Sequence, residues 1–198
     1  MPIKRPKHLL IIGGGVFQVP AIKTAKSMGL KVVVTDYNRE AEGMLLADYP
    51  IEVSTRNINL TVNMAKQFHG SCPLDGVLTV GTDASQTVAA VADALNLPGI
   101  PFEVAERATD KIKMRQVLKA NGVPIPDFRP IWTLEECQQA VRSMPLPLVI
   151  KPCDNMGARG VRKIERLDDL IPAFREAKEA SISGKLILEE FMEGPELS

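Results

Sequence analysis

The length, composition and charge of the chain exclude several classes of protein at once. Its 198 residues are 45% hydrophobic, which is enough for one large domain or two small ones. Lys+Arg and Asp+Glu both number 24, so the formal net charge is zero and gives no electrostatic reason to bind nucleic acid or an anionic membrane.

The cysteines and the N-terminal segment indicate the cellular compartment in which the protein is expected. Cys72, Cys137 and Cys153 lie far apart and show no zinc-ligand spacing, so they are expected to be reduced thiols in a cytoplasmic protein. The apolar run at 9–12 is too short for a signal sequence. No stretch is long enough to span a bilayer, so no membrane partner is expected.

Strand and helix signals alternate through the first hundred residues. Apolar or β-branched runs predict strands at 8–12, 31–35, 50–54 and 76–80, with helical segments between them. Repeated β-α-β units with buried strands predict a Rossmann-like α/β domain, in which helices cover a parallel sheet.

The helices in this half carry end and face signals. Gly29 is expected to end the first helix, and Asp83 to cap the helix after the fourth strand. In the helix near 60–68, Leu60, Met64 and Phe68 recur at i+4 spacing, which predicts that they form its apolar face.

A glycine turn, Gly13-Gly14-Gly15, joins the first strand to the first helix, and Asp36 ends the next strand. Glycines in such a turn let the backbone approach a phosphate at a helix N-terminus. Gln18 replaces the third glycine of the dinucleotide fingerprint, so three interpretations stay open: a tight structural turn, a dehydrogenase-like site, or a substrate-side phosphate or carboxylate site. A P-loop signature is absent from the sequence.

The pattern changes in the second half. A connector helix is predicted from about Thr109 to Asn121, ended by Gly122, before a proline-bearing linker. Strands are predicted at 148–151, 161–164 and 185–190. Because a short glycine-bearing loop joins the first two, we expect an antiparallel sheet with helices on one face.

A capping box and four polar features mark this half. Thr133 and Glu136 form the capping box of its first helix. Lys111, Lys151, the loop at 155–160 and the segment at 189–192 follow in order. Each alone is typical of a solvated lysine, a turn or a strand edge. Together they predict a nucleotide clamp, since two lysines can neutralise phosphates while glycine N–H groups cradle them.

The order and spacing of these features resemble the ATP-grasp superfamily. KPCDNMGARGV (151–161) is similar to its glycine-rich hairpin, LEEFMEGPE (188–196) to its adenine hinge, and DK (110–111) with MR (114–115) to its connector helix. The resemblance is strongest to carbamoyl-phosphate-synthase-like, biotin-carboxylase-like and purine-biosynthetic ligases. It implies a pre-ATP-grasp α/β domain at 1–108, a connector at 109–126 and a small α+β lid lobe at 127–198.

The resemblance implies an enzyme that activates a small-molecule carboxylate or bicarbonate with ATP as an acyl phosphate, for attack by an amine or another nucleophile. Lys111 and Lys151 would contact the phosphates. Gly157 and Gly160 would belong to the lid over them, with Arg159 adding charge.

The same resemblance assigns the nucleoside end. Glu189 and Glu190 would bind the adenine amino group, partly through a backbone carbonyl. Met192 would donate its N–H to the ring, and Glu196 would accept from the ribose hydroxyls. The Mg²⁺ ligands are expected in a further lobe beyond Ser198, so this chain alone is expected neither to turn over ATP nor to bind it tightly.

The carboxyl ends of the strands offer candidates for the substrate site. In open α/β sheets ligands bind at this edge, which points to Gly14, Gly15, Asp36 and Asp83. The identity of the substrate stays open, and a homodimer is compatible with the sequence. Two alternatives to a ligase are an NAD(P)-dependent oxidoreductase built on the first domain and a non-catalytic nucleotide-binding module.

Overall fold

The computed structural model describes residues 5–195, which fold as two compact units that divide between Ala105 and Glu106. In chain order, the first unit contains β1 (His8–Ile12), a 3₁₀ turn (Val16–Gln18), α1 (Val19–Ser27), β2 (Lys31–Asp36), α2 (Glu42–Leu46), β3 (Tyr49–Glu52), α3 (Ile58–Ser71), β4 (Leu74–Leu78) and α4 (Ser85–Leu95).

The strands of the first unit form the predicted parallel sheet, in the order β3-β2-β1-β4. The two central strands bury both faces, as their continuous apolar runs require. Leu10, Ile12 and Val33 belong to one core cluster, while Ile11 and Val32 belong to another on the opposite face. The α/β prediction for this half is confirmed.

Two local predictions in the first unit are wrong. Leu60 is 45% exposed, and α3 instead buries Thr61 and Ala65, because these small residues allow a close approach to the core cluster that includes α4. The N-cap of α4 is Ala84 rather than Asp83, the residue before it. Gly29, at φ +76°, follows the end of α1 as expected.

A helix at the boundary, α5 (Phe102–Thr109), was not predicted from the sequence. The second unit continues with α6 (Lys111–Ala120), β5 (Phe128–Ile131), α7 (Leu134–Val141), β6 (Leu148–Pro152), β7 (Arg162–Ile164), a 3₁₀ turn (Leu167–Asp169), α8 (Leu170–Ala180) and β8 (Leu186–Glu190). The connector helix α6 begins later than expected because Asp110 caps it, accepting from the N–H groups of Ile112 and Lys113.

The second sheet is antiparallel, in the order β5-β8-β6-β7, and the hairpin of β6 with β7 is confirmed. The predicted capping box of Thr133 and Glu136 is also present. Helices α7 and α8 cover one face of this sheet. This agrees with the prediction, and the connector helix α6 packs on the other face, where Ile112 contacts the cluster that contains Ile187.

Candidate functional site

The second unit holds a buried carboxylate between two cations. Glu189 lies near the end of β8, and the alternation of the strand turns its side chain to the face that α6 covers. Its side chain is only 4% exposed. Arg115 of α6 donates to it from Nε at 2.8 Å and Nη2 at 3.3 Å, and the Lys151 Nζ of β6 lies 2.5 Å away.

These contacts decide the charge of Glu189. Burial raises the pKa of a carboxyl group, but the hydrogen bonds from Arg115 and Lys151 outweigh that effect, and the pKa of Glu189 lies below its ordinary value. The group therefore stays ionised at neutral pH. A buried charge of this kind is tolerated because both cations neutralise it.

The second predicted phosphate ligand, Lys111, lies in the first turn of α6. Its Nζ donates to the backbone carbonyl of Asn155 at 2.6 Å, at the start of the glycine loop. Burial and the nearby charge of Lys151 lower the pKa of Lys111. The charge of Lys151 thus lies close enough to act on Lys111, and two neighbouring ammonium groups form a place where an anion is favourable.

The glycine loop is fastened where it begins and open at its tip. The Asp154 carboxylate accepts from the N–H groups of Ile182 at 3.3 Å and Ser183 at 2.6 Å, which fixes the end of β6 to the turn before β8. A Cβ on Gly160 would lie 2.5 Å from the Cβ of Ala180, so this glycine is required by packing. Gly157 has φ +69° and open space around it.

Arg159 is exposed, and its Nε donates to the Met156 carbonyl at 3.1 Å within the loop. The backbone of Ala158, with φ +56°, adopts the left-handed conformation that favours glycine. The tip of the loop thus presents two consecutive residues with positive φ, Gly157 and Ala158.

The hinge segment divides its side chains between two faces. Glu190 points away from Glu189, and its Oε2 accepts from the Asp127 N–H at 3.3 Å. The Lys163 Nζ lies over the Phe191 ring, 4.2 Å from the ring centroid. Met192 is 65% exposed, while Glu196 lies outside the described residues. Among the hinge residues that the structure describes, Glu189 thus contacts Lys151 through its side chain, whereas the Glu190 side chain lies on the opposite face of the strand.

The glycine turn of the first unit is tightly bonded. Asp36 accepts from the Gly14 N–H at 2.8 Å and from the Asn38 N–H at 2.9 Å. The buried Gln18 side chain accepts from the Val80 N–H at 3.0 Å and donates to the Val80 carbonyl. Gln18 thus ties the turn to the end of β4, which favours the interpretation of a structural turn over a dinucleotide site.

A cleft of ≈ 560 Å³ opens beside this turn. Of the predicted substrate candidates, Gly15 and Asp36 line it, whereas Gly14 packs against Met44. Asp83 lies next to the lining residue Thr82 rather than among the residues that line the cleft. Sequence reasoning missed Arg56, the cationic side chain of this cleft, although the rule used for the other strand ends applies equally to the segment after β3.

Arg115 belongs to the predicted connector-helix motif, but no role in the site was predicted for it. It lies four residues after Lys111, on the same face of α6, and that spacing is a usable signal. Its partner could not be inferred from spacing, since the contact with Glu189 depends on how α6 crosses the sheet. Within residues 5–195, no group of three or more His, Cys, Asp or Glu side chains could hold a metal ion.

Two family models match the chain in succession. The ATP-grasp N-terminal domain matches residues 22–99, and the ATP-grasp domain matches residues 108–198. The chain therefore belongs to the ATP-grasp family, as the resemblance of its motifs indicated. In the part of the chain that the structure describes, no helix has the length and apolar character needed to cross a membrane.

Relatives agree with this assignment. An L-amino acid ligase from Bacillus licheniformis is 26% identical, with a TM-score of 0.75 over 98% of this chain and 46% of its own. An uncharacterized protein of Sinorhizobium fredii is 30% identical over 151 residues, 72% of this chain and 31% of its own length. A third similar protein shares the fold.

This is the biotin carboxylase domain of a Hydrogenobacter thermophilus 2-oxoglutarate carboxylase, solved with MgADP, ADP and bicarbonate. It is 20% identical, with a TM-score of 0.71 over 96% of this chain and 45% of its own. The chain spans about half the length of these two solved structures and about a third of the Sinorhizobium protein. The comparisons favour the ligase prediction over the oxidoreductase alternative.

Proposed function

We propose that the protein carrying this chain is an ATP-dependent ligase that activates a carboxylate as an acyl phosphate for attack by an amine or another nucleophile. The observation that carries the proposal is the convergence of Lys111 and Lys151 at the foot of the glycine loop, in a chain of the ATP-grasp family. Phosphoryl transfer depends mainly on positioning and charge neutralisation, which two lysines and a glycine loop supply.

The nucleotide would lie against the face of the second sheet that carries Lys151 and Glu189. In this proposal the Lys111 ammonium leaves the Asn155 carbonyl for a phosphate oxygen, and Lys151 turns from Glu189 toward another. Gly157, Arg159 and Gly160 belong to the loop that closes over the phosphates. Closure matters because it keeps water from a hydrolysable intermediate.

The nucleoside end would be read by the hinge. We assign recognition of adenine to Glu189, to the backbone of Glu190 and to the Met192 N–H, and the ribose contact to Glu196. Support for these roles comes from the position of β8 beside the two lysines. The described residues offer no carboxylate cluster for Mg²⁺, so no step is assigned to a metal here.

The carboxylate substrate is proposed to bind in the cleft of the first unit. Gly15 and Asp36 line the cleft, and Arg56 provides a positive charge for an anionic substrate group. Both Asp36 oxygens already accept backbone N–H bonds, so this carboxylate fixes the backbone that borders the cleft. Small-molecule substrates, a cytoplasmic location and a homodimer belong to the same proposal.

Calorimetric titration of ATP into the complete natural protein that contains these residues tests the function. Lys111→Met and Lys151→Met should each weaken ATP binding by about tenfold or more, since each removes a phosphate contact worth about 1.4 kcal/mol or more. Lys119→Met is the matched control, because this lysine is exposed in the last turn of the same helix. Equal ATP affinity in all three variants would contradict the proposal. A complete protein that binds ATP but never cleaves it would instead support the alternative of a non-catalytic nucleotide-binding module.

A further inference from the structure

The two cations that hold Glu189 differ in kind and in origin. Arg115 comes from α6 and grips both carboxylate oxygens with a planar fork, at 2.8 and 3.3 Å. Lys151 comes from β6 and contacts one oxygen through a single ammonium group at 2.5 Å. A fork has little freedom to find another partner, whereas an ammonium group on a flexible stem can rotate toward a different anion.

This difference matters once Lys151 is needed elsewhere. An ammonium group that turns toward a phosphate gives up some or all of its contact with Glu189. A buried carboxylate that loses its only cation is strongly disfavoured, so it either retains the lysine or takes up a proton. Glu189 can release Lys151 and stay ionised because Arg115 still pairs with it.

We propose that Arg115 is a positioning residue that releases Lys151 for the nucleotide, by keeping Glu189 paired and ionised while Lys151 turns to a phosphate. The inference rests on the proposed function, because it assumes that Lys151 meets a phosphate. Arg115 itself need not touch the nucleotide; it acts through Glu189.

The surroundings of Glu189 support this division of roles. On β5 its pairing neighbour is Phe128 and on β6 it is Val149, and neither carries a charge. Lys111 also interacts electrostatically with Glu189, but its Nζ donates to the Asn155 carbonyl. Without Arg115, Lys151 would thus be the cation bound directly to the carboxylate.

The experiment measures the affinities of the complete natural protein for ATP and for adenosine by calorimetry. Titrations in two buffers of different ionisation enthalpy also give the number of protons exchanged on binding. The wild-type protein should prefer ATP, and its proton exchange on binding ATP, which includes the titration of the terminal phosphate, is the reference value. Arg115→Gln should lower the preference for ATP over adenosine by about tenfold. Relative to the wild type, binding of ATP should then take up an additional fraction of a proton that grows as the pH falls from about 8 to about 6, because Glu189 must protonate.

Two further variants separate positioning from folding. Arg115→Lys keeps the charge without the fork, so it should restore most of the ATP preference and suppress the additional proton uptake. Arg115→Gln combined with Glu189→Gln removes the carboxylate that traps Lys151. Its ratio of ATP to adenosine affinity should return to within about threefold of the wild-type value. Arg129→Gln, at an exposed arginine of the same unit, should change neither quantity.

The outcomes are distinguishable. If the wild-type protein fails to bind ATP, the proposed function is wrong and this inference falls with it. If the wild type binds ATP and Arg115→Gln keeps the wild-type ratio without additional proton uptake, the role of Arg115 is wrong while the proposed function stands. A double variant whose ratio stays as low as that of Arg115→Gln overturns the inference too, and this comparison remains decisive if the single variant does not fold.

Discussion

The two glycine turns of the molecule differ in how closely their surroundings pack. In the first unit, Gly43 donates its N–H to the Gly14 carbonyl at 2.7 Å, and a Cβ on Gly14 would lie 2.9 Å from Met44 Cγ. In the second unit, the glycine loop is anchored at its start by Lys111 and Asp154, and a Cβ on Gly157 would meet open space. Both turns are hydrogen-bonded to a carboxylate, but the first is close-packed at Gly14, whereas the tip of the second has space around it.

This difference teaches that a glycine-rich turn is weak evidence for a ligand site until its neighbours are known. In the first unit, glycine is needed because the backbones approach closely, which leaves no room for a side chain. At the tip of the second loop, glycine is needed because the backbone adopts positive φ with space around it. The second situation is the one that leaves a loop free to close on a ligand.

Removing charge should therefore damage the second unit most. Glu189→Gln leaves Arg115 and Lys151 half-buried without their carboxylate, and it should cost about 3 kcal/mol of unfolding free energy. Glu190→Gln, on the opposite face of the same strand, should cost less than about 0.5 kcal/mol. Urea unfolding followed by the fluorescence of Trp132, the sole tryptophan of the sequence, reports on this unit. Similar costs for both variants would contradict a charge-held site.

The pH dependence sharpens the same comparison. The pKa of Glu189 is lower in the folded protein than its ordinary value, because Arg115 and Lys151 donate to it despite its burial. Its contribution is therefore fully present above the ordinary glutamate pKa of about 4.3 and is lost as the pH falls through the lower folded value. The stability gap between wild type and Glu189→Gln should shrink as the pH falls below about 4.3. A gap that widens on acidification would refute this linkage.

Adding a methyl group should instead damage the first unit. A Cβ on Gly43 would lie 2.7 Å from both the Gly14 oxygen and Ile22 Cδ1, so Gly43→Ala should cost about 2 kcal/mol. Gly70→Ala is the control, because this glycine is in a helix with open space around it, and the variant should gain about 0.5 kcal/mol. Native-state hydrogen exchange of the β1 and β2 amides measures both. Unchanged protection in Gly43→Ala would show that the turn is not held by contact.

The sequence was informative where one physical signal dominated. The apolar runs of β1 and β2 predicted buried parallel strands, and Thr133 with Glu136 predicted a helix start, since capping is local. The apolar face of α3 was misjudged because two stripes of that helix end at Phe68, and the stripe with the small residue Ala65 packs in the core. Local spacing does not reveal which stripe the neighbouring helix selects.

The site was predictable as a set of residues but not as an arrangement. Lys111 and Lys151 were found through their motifs, and the structure brings them together. The contact of Arg115 with Glu189 joins residues 74 positions apart, so only the crossing of α6 over the sheet could reveal it. Arg56 was missed for a simpler reason, because the strand-end rule was not applied after β3.

The smallest expected effects lie at the tip of the second loop, where conformation rather than packing decides. Gly157→Ala should cost about 1 kcal/mol, since φ +69° strains a side chain even in open space. Ala158→Gly should raise the unfolding free energy by about 0.5 kcal/mol, because glycine adopts φ +56° without strain. The greater chain entropy of glycine in the unfolded state offsets part of this stabilisation. Trp132 fluorescence in urea measures both variants. Opposite signs at adjacent residues cannot arise from lost contacts, so costs of the same sign would mean that packing holds this loop as well.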